Sequence, residues 1–575
     1  MKHFNKYIRK YWKLFLASVT CVAFEAICDL MQPTIMSKIV DIGVAKKDMP
    51  YVLRMGGIML MITGIGAVFA SSRNIISSNV SQKFAADLRS DLFKKIESFS
   101  FDNIDKFEGA SLVTRLTNDV TQVQNFVNGL MRIFIKAPIL CIGSIIMAVR
   151  LNHHMAVIIL IIVPVIGVLI AANLQIGYPY FIKVQKALDR VNAVLREYLS
   201  GVRVVKAFNR FKFETGRFKK INDEYASVSI KAMRIMAIFS PGISLTVNIG
   251  IVIVIWLGGI RVNNGQMHVG QIIAFINYMT QILFALMIIS NVFTMFVRAR
   301  ASAERIEEVF KEDNSIKVSE VKEVSEAVKG RIDFEHVYFS YMGSTGEPVL
   351  KDITFSCVQG ENIGIIGSTG SGKSSLVNLV PRFYDVSSGS VKVDGIDVKN
   401  IPVKELREKI AVVPQKTVLF TGTVTENIRW GRENATLEEV EEAAKVSEAH
   451  DFIAAFPEGY DTRLGQGGVN FSGGQKQRVS IARALVRKPE ILILDDCTSA
   501  VDVATEFRIR EGLSKYIGGL TCLIIAQRIT SVMNADRIIV LDNGRIDAIG
   551  THKELMASSD IYKDIFLSQL GKEMA

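Results

Sequence analysis

Gly367-Ser-Thr-Gly-Ser-Gly-Lys-Ser374 follows the apolar stretch Asn362–Ile366 and runs into a helical pattern at Lys373. The run fits G-x-x-x-x-G-K-[ST], the loop that cradles phosphates, and the strand before it with the helix after it gives the pattern its meaning. Glycines at 367, 370 and 372 let backbone N–H groups approach an anion closely, and the start of a helix adds partial positive charge. Ser368, Thr369, Ser371 and Ser375 complete the cradle. Lys373 is placed to reach the outer phosphates, and the Ser374 hydroxyl to ligate Mg²⁺.

Outward from this loop the composition is lopsided. A length of 575 residues allows three or four domains. Hydrophobic residues make up 49% and the mean hydropathy is +0.27, too apolar for a soluble chain of this size. Residues 1–300 hold 35 Lys+Arg against 16 Asp+Glu, net +19, and the remainder holds 33 against 41, net −8. A basic apolar half precedes an acidic polar half, as a membrane domain followed by a cytosolic one would read. The pI of about 9.2 does not imply nucleic acid, because the positive charge lies beside apolar segments, where it meets anionic lipid. The six cysteines form no C-x-x-C pair, so neither a zinc site nor a disulfide framework is expected. The opening MKHFNKYIRKYWK has no small-residue cleavage site and reads as retained.

Crossing a bilayer takes about 20 apolar residues. Six runs qualify, near 14–34, 52–72, 133–150, 155–173, 237–259 and 272–297. Six spans put both ends on one side, here the cytoplasmic face of the membrane. Segments 73–132 and 174–236 carry many Lys and Arg and are expected to be cytoplasmic. Lys46 and Lys47 fall in an external loop, against that rule. Glu25 and Asp29 share one face of the first span, and carboxylates inside a membrane are candidates for function. Attraction of a cationic cargo is one reading. The other is a plain pairing of Asp29 with Arg54 or Lys47. The sixth span is rich in Phe275, Tyr278, Met279, Phe284, Met287, Phe293, Met295 and Phe296. Such side chains suit varied lipophilic ligands, and equally suit ordinary packing.

The expected domains are 1–310 in the membrane, a polar linker at 311–330, and 331–575. The stretch RIDFEHVYFSY opens the last part with a strand-like alternation. Downstream stand Gln415 in VVPQKTVLF, Phe471-Ser472-Gly473-Gly474-Gln475, the strand ILILDD ending in Asp495 and Asp496, Ser499-Ala-Val-Asp502, and Gln527 in LIIAQRIT.

Taken in this order, the motifs resemble the nucleotide-binding domain of an ABC transporter. With six preceding spans, the whole chain resembles a type IV exporter half-transporter. The resemblance implies an α-helical transmembrane bundle of six long helices extending into the cytoplasm, then an α/β P-loop ATPase domain with a helical subdomain. It implies that Tyr341 stacks on the adenine of ATP. It implies that Gln415 and Asp495 join Ser374 around Mg²⁺. Ser472, Gly473, Gly474 and Gln475 form the signature motif, which would contact ATP held by a second chain, and Asp502 would lie in the loop crossing between the two. Coupling helices are expected near 101–107 and 208–218.

Two catalytic positions depart from the family. The residue after Asp495 is usually Glu and is Asp496 here; the switch position is usually His and is Gln527. Asp falls over an ångström short of Glu, and a misplacement of about 1 Å can cost on the order of 10²-fold. The pattern is similar to the degenerate-site half of heterodimeric bacterial multidrug exporters. It implies a second half-transporter as partner, the lipid bilayer, a small lipophilic substrate, and no nucleic acid. The alternatives are a homodimeric exporter using Asp496 as base and a nucleotide-gated regulator that does not pump.

Overall fold

The computed structural model describes residues 3–316, 329–341, 346–516 and 519–570. Most of the expected linker, residues 317–328, lies outside the described residues, as does the side chain of Phe293. The chain forms two compact units. One comprises Met1–Glu97 with Ala110–Glu312, the other Ser98–Gly109 with Asp313–Ala575.

Among the described residues, the first unit carries six helices long and apolar enough to cross a membrane, Asn5–Val44, Met49–Glu97, Gly109–Leu151, His153–Ser200, Phe211–Asn263 and the segment beginning Val269–Ile289, which runs on to Lys311. The second is 49 residues, about 75 Å at 1.5 Å per residue, so it extends well beyond a bilayer. The hairpin at 150–154 is set by Asn152, extended in backbone, whose side chain accepts from the N–H groups of His154 and Met155 and caps the fourth helix. Near its start, the first helix is laced to the second. Lys6 and Tyr7 both donate to Asp91, at 2.8 and 2.7 Å, and one turn on Lys10 and Tyr11 both donate to Asp87, at 2.5 and 2.7 Å.

Pro33 lies inside the first helix. It has no N–H to offer the carbonyl of Asp29 four residues back. Gln281 of the sixth helix supplies the missing donor, its amide nitrogen 3.4 Å from that oxygen. Beside it the Tyr278 hydroxyl donates to the Leu30 carbonyl at 2.8 Å, and Ser144 donates to the Gln281 amide oxygen at 3.0 Å. Tyr278, Phe275 and Met279 are therefore buried core, whereas Phe284, Met287 and Phe296 are exposed. The aromatic face read in the sequence divides into a packed half and an open half.

Glu25 and Asp29 meet neither Arg54 nor Lys47. Lys136 of the third helix binds both, at 2.6 Å to Glu25 and 2.9 Å to Asp29. Arg73 of the second helix stands 3.0 Å from the other Glu25 oxygen. The cluster is charge-balanced, which is the condition for burying ions in an apolar surrounding.

Segment 174–236 also departs from expectation. Its short helix is Val202–Ala207, between Gly201 and a left-handed Asn209. Residues 211–218 instead open the long fifth crossing helix.

In the second unit, Phe101–Phe107 is a short helix with a capping box formed by Ser100 and Asn103. Phe101 packs against Phe383 at 4.8 Å and Tyr384 at 5.9 Å, and Tyr384 donates to Asp105 at 3.0 Å. Asn103 donates to the Asp313 carbonyl at 3.1 Å, and Asn314 to that of Ser98 at 2.6 Å. These contacts are why residues 98–109 group with the last part of the chain, which a cut at 310 does not anticipate.

Among the described residues, twelve strands build two main sheets and a small pair. They are β1 (Ile332–Phe339), β2 (Leu350–Cys357), β3 (Asn362–Gly367), β4 (Ser388–Val393), β5 (Ile396–Asp397), β6 (Ile410–Val413), β7 (Gly422–Thr423), β8 (Arg463–Leu464), β9 (Ile491–Asp495), β10 (Thr521–Ile525), β11 (Arg537–Asp542) and β12 (Arg545–Gly550). The antiparallel sheet has the order β2-β1-β4-β5; the larger, mostly parallel sheet has β12-β11-β3-β10-β9-β6. β9 is buried at every position, as the unbroken apolar run ILIL requires of a central parallel strand.

Candidate ATP site

Strand order brings the motifs together. β10 lies between β3 and β9, with Ile525 level with both Ile365 and Asp495. The loop after β3, the acids ending β9 and the turn after β10 therefore emerge side by side at the carboxyl edge of the parallel strands, where such sheets bind ligands. A cleft of about 230 Å³ opens there. Thr369, Gly370, Gly372, Lys373, Ser374, Ser375, Gln415, Asp495, Asp496 and Gln527 all line it.

The loop has the shape that its glycines allow. Gly372 is left-handed at φ +99°, and a Cβ there would sit 2.8 Å from Leu350 Cδ2, so the turn into the helix Lys373–Asn378 admits no side chain. At Gly367 a Cβ would collide with the Leu541 carbonyl oxygen.

Lys373 Nζ donates to the carbonyls of Gly367 and Ser368, at 2.9 and 2.7 Å. Burial pulls its pKa below the ordinary lysine value, while Asp495 and Asp496 act the other way. Ser374 Oγ donates to Asp495 Oδ1 at 3.0 Å. Burial and the neighbouring Asp496 charge raise the Asp495 pKa, against the opposing pull of Ser374 and Lys373. Ser374, Asp495 and the Gln415 amide oxygen make an all-oxygen donor set, which fits a hard divalent cation such as Mg²⁺.

Asp496 is buried, at φ +46°, a left-handed geometry that Asp tolerates. Its Oδ2 accepts from two side-chain amides, Gln415 Nε2 at 3.1 Å and Gln527 Nε2 at 3.0 Å. Asp496 thus touches both of the other residues singled out as catalytic.

Tyr341 is not among the lining residues. Its hydroxyl shares a hydrogen bond with Ser375 Oγ at 2.8 Å, and its ring meets that of Tyr384 edge-on. Ser472–Gln475 and Asp502 do not line this cleft either. Ser472 caps the helix Gly473–Leu485, accepting from the Gln475 N–H. A Cβ on Gly474 would lie 2.8 Å from the Ala500 carbonyl oxygen. Phe471 is buried against Phe456 and Phe452; an aromatic fits where the family has Leu because two other rings receive it. Asp502 Oδ1 accepts from the Thr505 N–H, opening the helix Val503–Tyr516.

One residue was missed. Gln477 is buried, accepts from the Ala500 N–H at 3.1 Å and donates to Ser499 Oγ at 3.3 Å, and Ser499 Oγ donates to the Asp496 carbonyl at 3.1 Å. It ties the signature helix to the loop that carries Asp502. Its one sequence signal was its place two residues after Gln475.

The chain matches the ABC transporter transmembrane region family over residues 15–287 and the ABC transporter family over residues 350–499. It is 40% identical over 567 residues to the ABC transporter ATP-binding protein YfiB of Bacillus subtilis (strain 168), covering 99% of this chain and 98% of that protein. The chain is an ABC transporter. A relative from Dechloromonas aromatica (strain RCB), an ATP-dependent lipid A-core flippase, is 31% identical over 579 residues, covering 99% of this chain and 97% of that protein. The solved structure of a bacterial Atm1-family ABC exporter with ATP bound is similar in fold, with a TM-score of 0.79 at 24% identity, over 97% of this chain and 98% of that one. This ABC transporter thus has the exporter fold: a six-helix membrane region and an ATP-binding domain in one multi-pass chain.

Proposed function

We propose that this chain is one half of a two-chain exporter that moves lipophilic or drug-like cargo out across the cytoplasmic membrane. In this reading both termini are cytoplasmic, and the chain's own cleft holds ATP far longer than it cleaves it. The observation that carries the reading is the clasp on Asp496. Cleavage needs a carboxylate free to orient and polarise water. Here one oxygen of a short carboxylate is engaged by two amides, and neither amide can take a proton.

Tyr341 stacks on the adenine and residues 367–375 hold the phosphates. Lys373 leaves the loop carbonyls for the outer phosphates. Ser374, Gln415 and Asp495 would hold Mg²⁺, which supplies charge neutralisation when bound. The signature residues Ser472–Gln475 and Asp502 serve ATP held by the second half-transporter, whose own catalytic Glu and switch His do the steady work. The exposed Phe284, Met287 and Phe296 support a lipophilic cargo, as does kinship with a relative described as a flippase of a lipid.

A homodimer using Asp496 as base is the second reading, favoured by the carboxylate's place in the same cleft as Lys373. ATPase measurement on the chain purified alone in lipid separates the two. The two-chain reading expects nucleotide binding with only slow turnover. Brisk turnover, abolished by Asp496→Asn, would establish the homodimer instead.

A further inference from the structure

The helix Asp560–Leu570 lies in the ATP-binding unit, and none of the motifs falls on it. Tyr562 and Phe566 are buried in the core cluster that also holds Ile366, Ala526 and Ile529. Tyr562 is further fixed by a 2.8 Å hydrogen bond between its hydroxyl and His552 Nδ1. The helix is therefore seated against the base of the phosphate loop and the turn after β10. From its last turn Gln569 reaches that turn with both ends of its amide. Nε2 donates to the Gln527 carbonyl at 2.8 Å, and Oε1 accepts from the Ile529 N–H at 2.8 Å. The amide orientation is unambiguous, because a carbonyl only accepts and an N–H only donates. Bonding the C=O of one residue and the N–H two residues on is what a neighbouring β-strand does. Arg528, between them, is extended, as such a pairing requires.

We propose that Gln569 is a positioning residue of the ATP site. It holds the Gln527–Ile529 backbone so that the Gln527 side chain points at Asp496. The inference rests on Gln527 being the switch residue, and it adds that the helix Asp560–Leu570 sets that residue's aim. Gln527 would sense the terminal phosphate, so the clamp matters for ATP and not for ADP.

The test uses the full chain in lipid, as wild type and Gln569→Ala. Amide exchange over residues 526–531 is expected to speed up about fivefold or more, the scale of one lost hydrogen bond. Release of bound ATP is expected to speed up by a similar factor, with ADP release unchanged within about twofold. In a Gln527→Ala background, Gln569→Ala should add nothing to ATP release, since the two act as one unit. If Gln569→Ala folds poorly, Gln569→Glu, which keeps the acceptor for the Ile529 N–H and sets a carboxylate oxygen against the Gln527 carbonyl in place of the donor, carries the same comparison. Equal acceleration of ATP and ADP would mean a merely structural contact and overturn the proposal, as would additivity with Gln527→Ala or unchanged exchange. Brisk ATP turnover by the lone chain would sink the two-chain reading alone. The clamp would then be read as a fall in kcat at unchanged KM.

Discussion

Two pairs of acidic residues divide this molecule, and they are answered in opposite ways. Glu25 and Asp29, in the membrane-spanning unit, meet cations, Lys136 and Arg73. Asp495 and Asp496, in the ATP-binding unit, accept hydrogen bonds from neutral groups, Ser374, Gln415 and Gln527. The first set is closed, since its charges cancel among themselves. The second keeps its negative charge facing a cleft and so stays open to a cation from solution. A closed cluster acts as scaffold, while an open one has chemistry left to do.

The largest expected effect comes from opening the closed set. Lys136→Ala leaves Asp29 without a cation and Glu25 with Arg73 alone, and removing one partner of a buried ion pair typically costs roughly 3–5 kcal/mol. Thermal unfolding in detergent should show this as a large loss of the membrane unit's stability. An Asp29→Asn, Lys136→Met variant, which keeps the Glu25–Arg73 pair, should recover much of it. If Lys136→Ala melts like the wild type, the cluster is not a scaffold.

Next comes restoring reach in the open set. Asp496→Glu with Gln527→His should raise single-site ATP cleavage by on the order of 10²-fold, the penalty ascribed to about 1 Å of misplacement. Single-turnover cleavage of bound ATP measures it, and an unchanged rate would locate the block elsewhere.

Asp495 supplies a test of sign. Its pKa is raised, chiefly by burial. A raised carboxylate stabilises the fold at low pH and loses that contribution as pH climbs through its folded value. Asp495→Asn should therefore raise the melting temperature of the ATP-binding unit at neutral pH while weakening Mg²⁺-ATP binding. The gain should shrink as pH falls through the carboxylate range.

The smallest effect is at the proline. Gln281→Leu removes the donor to the Asp29 carbonyl and should cost about 1 kcal/mol, read as a shift of a few degrees in unfolding.

The same contrast explains what could be read from the chain beforehand. Lys373, Ser374, Asp495 and Gln527 were legible because each lies on a short motif whose local spacing implies its place. Six crossings were legible from apolar length. The partners of Glu25 were not, because Arg73 and Lys136 lie 48 and 111 positions away, and which face of each helix meets the others is decided by packing. Val202–Ala207 was placed some residues too late because nothing in its pattern marks the turn at Asn209. Gln569 had no signal at all: it is one exposed glutamine on a helix, and its meaning lies in two backbone atoms some 40 residues upstream.

The doubled lacing of Lys6, Tyr7, Lys10 and Tyr11 onto Asp91 and Asp87 makes a rod of two ropes. The second helix ends at Glu97 and passes straight into residues 98–109, which fold with the ATP-binding unit. A tug at residue 98 is thereby shared with the first helix from its opening turns, and so reaches Pro33 through stiff backbone. Cutting the two aspartates to alanines would let one rope slacken while the other stays taut.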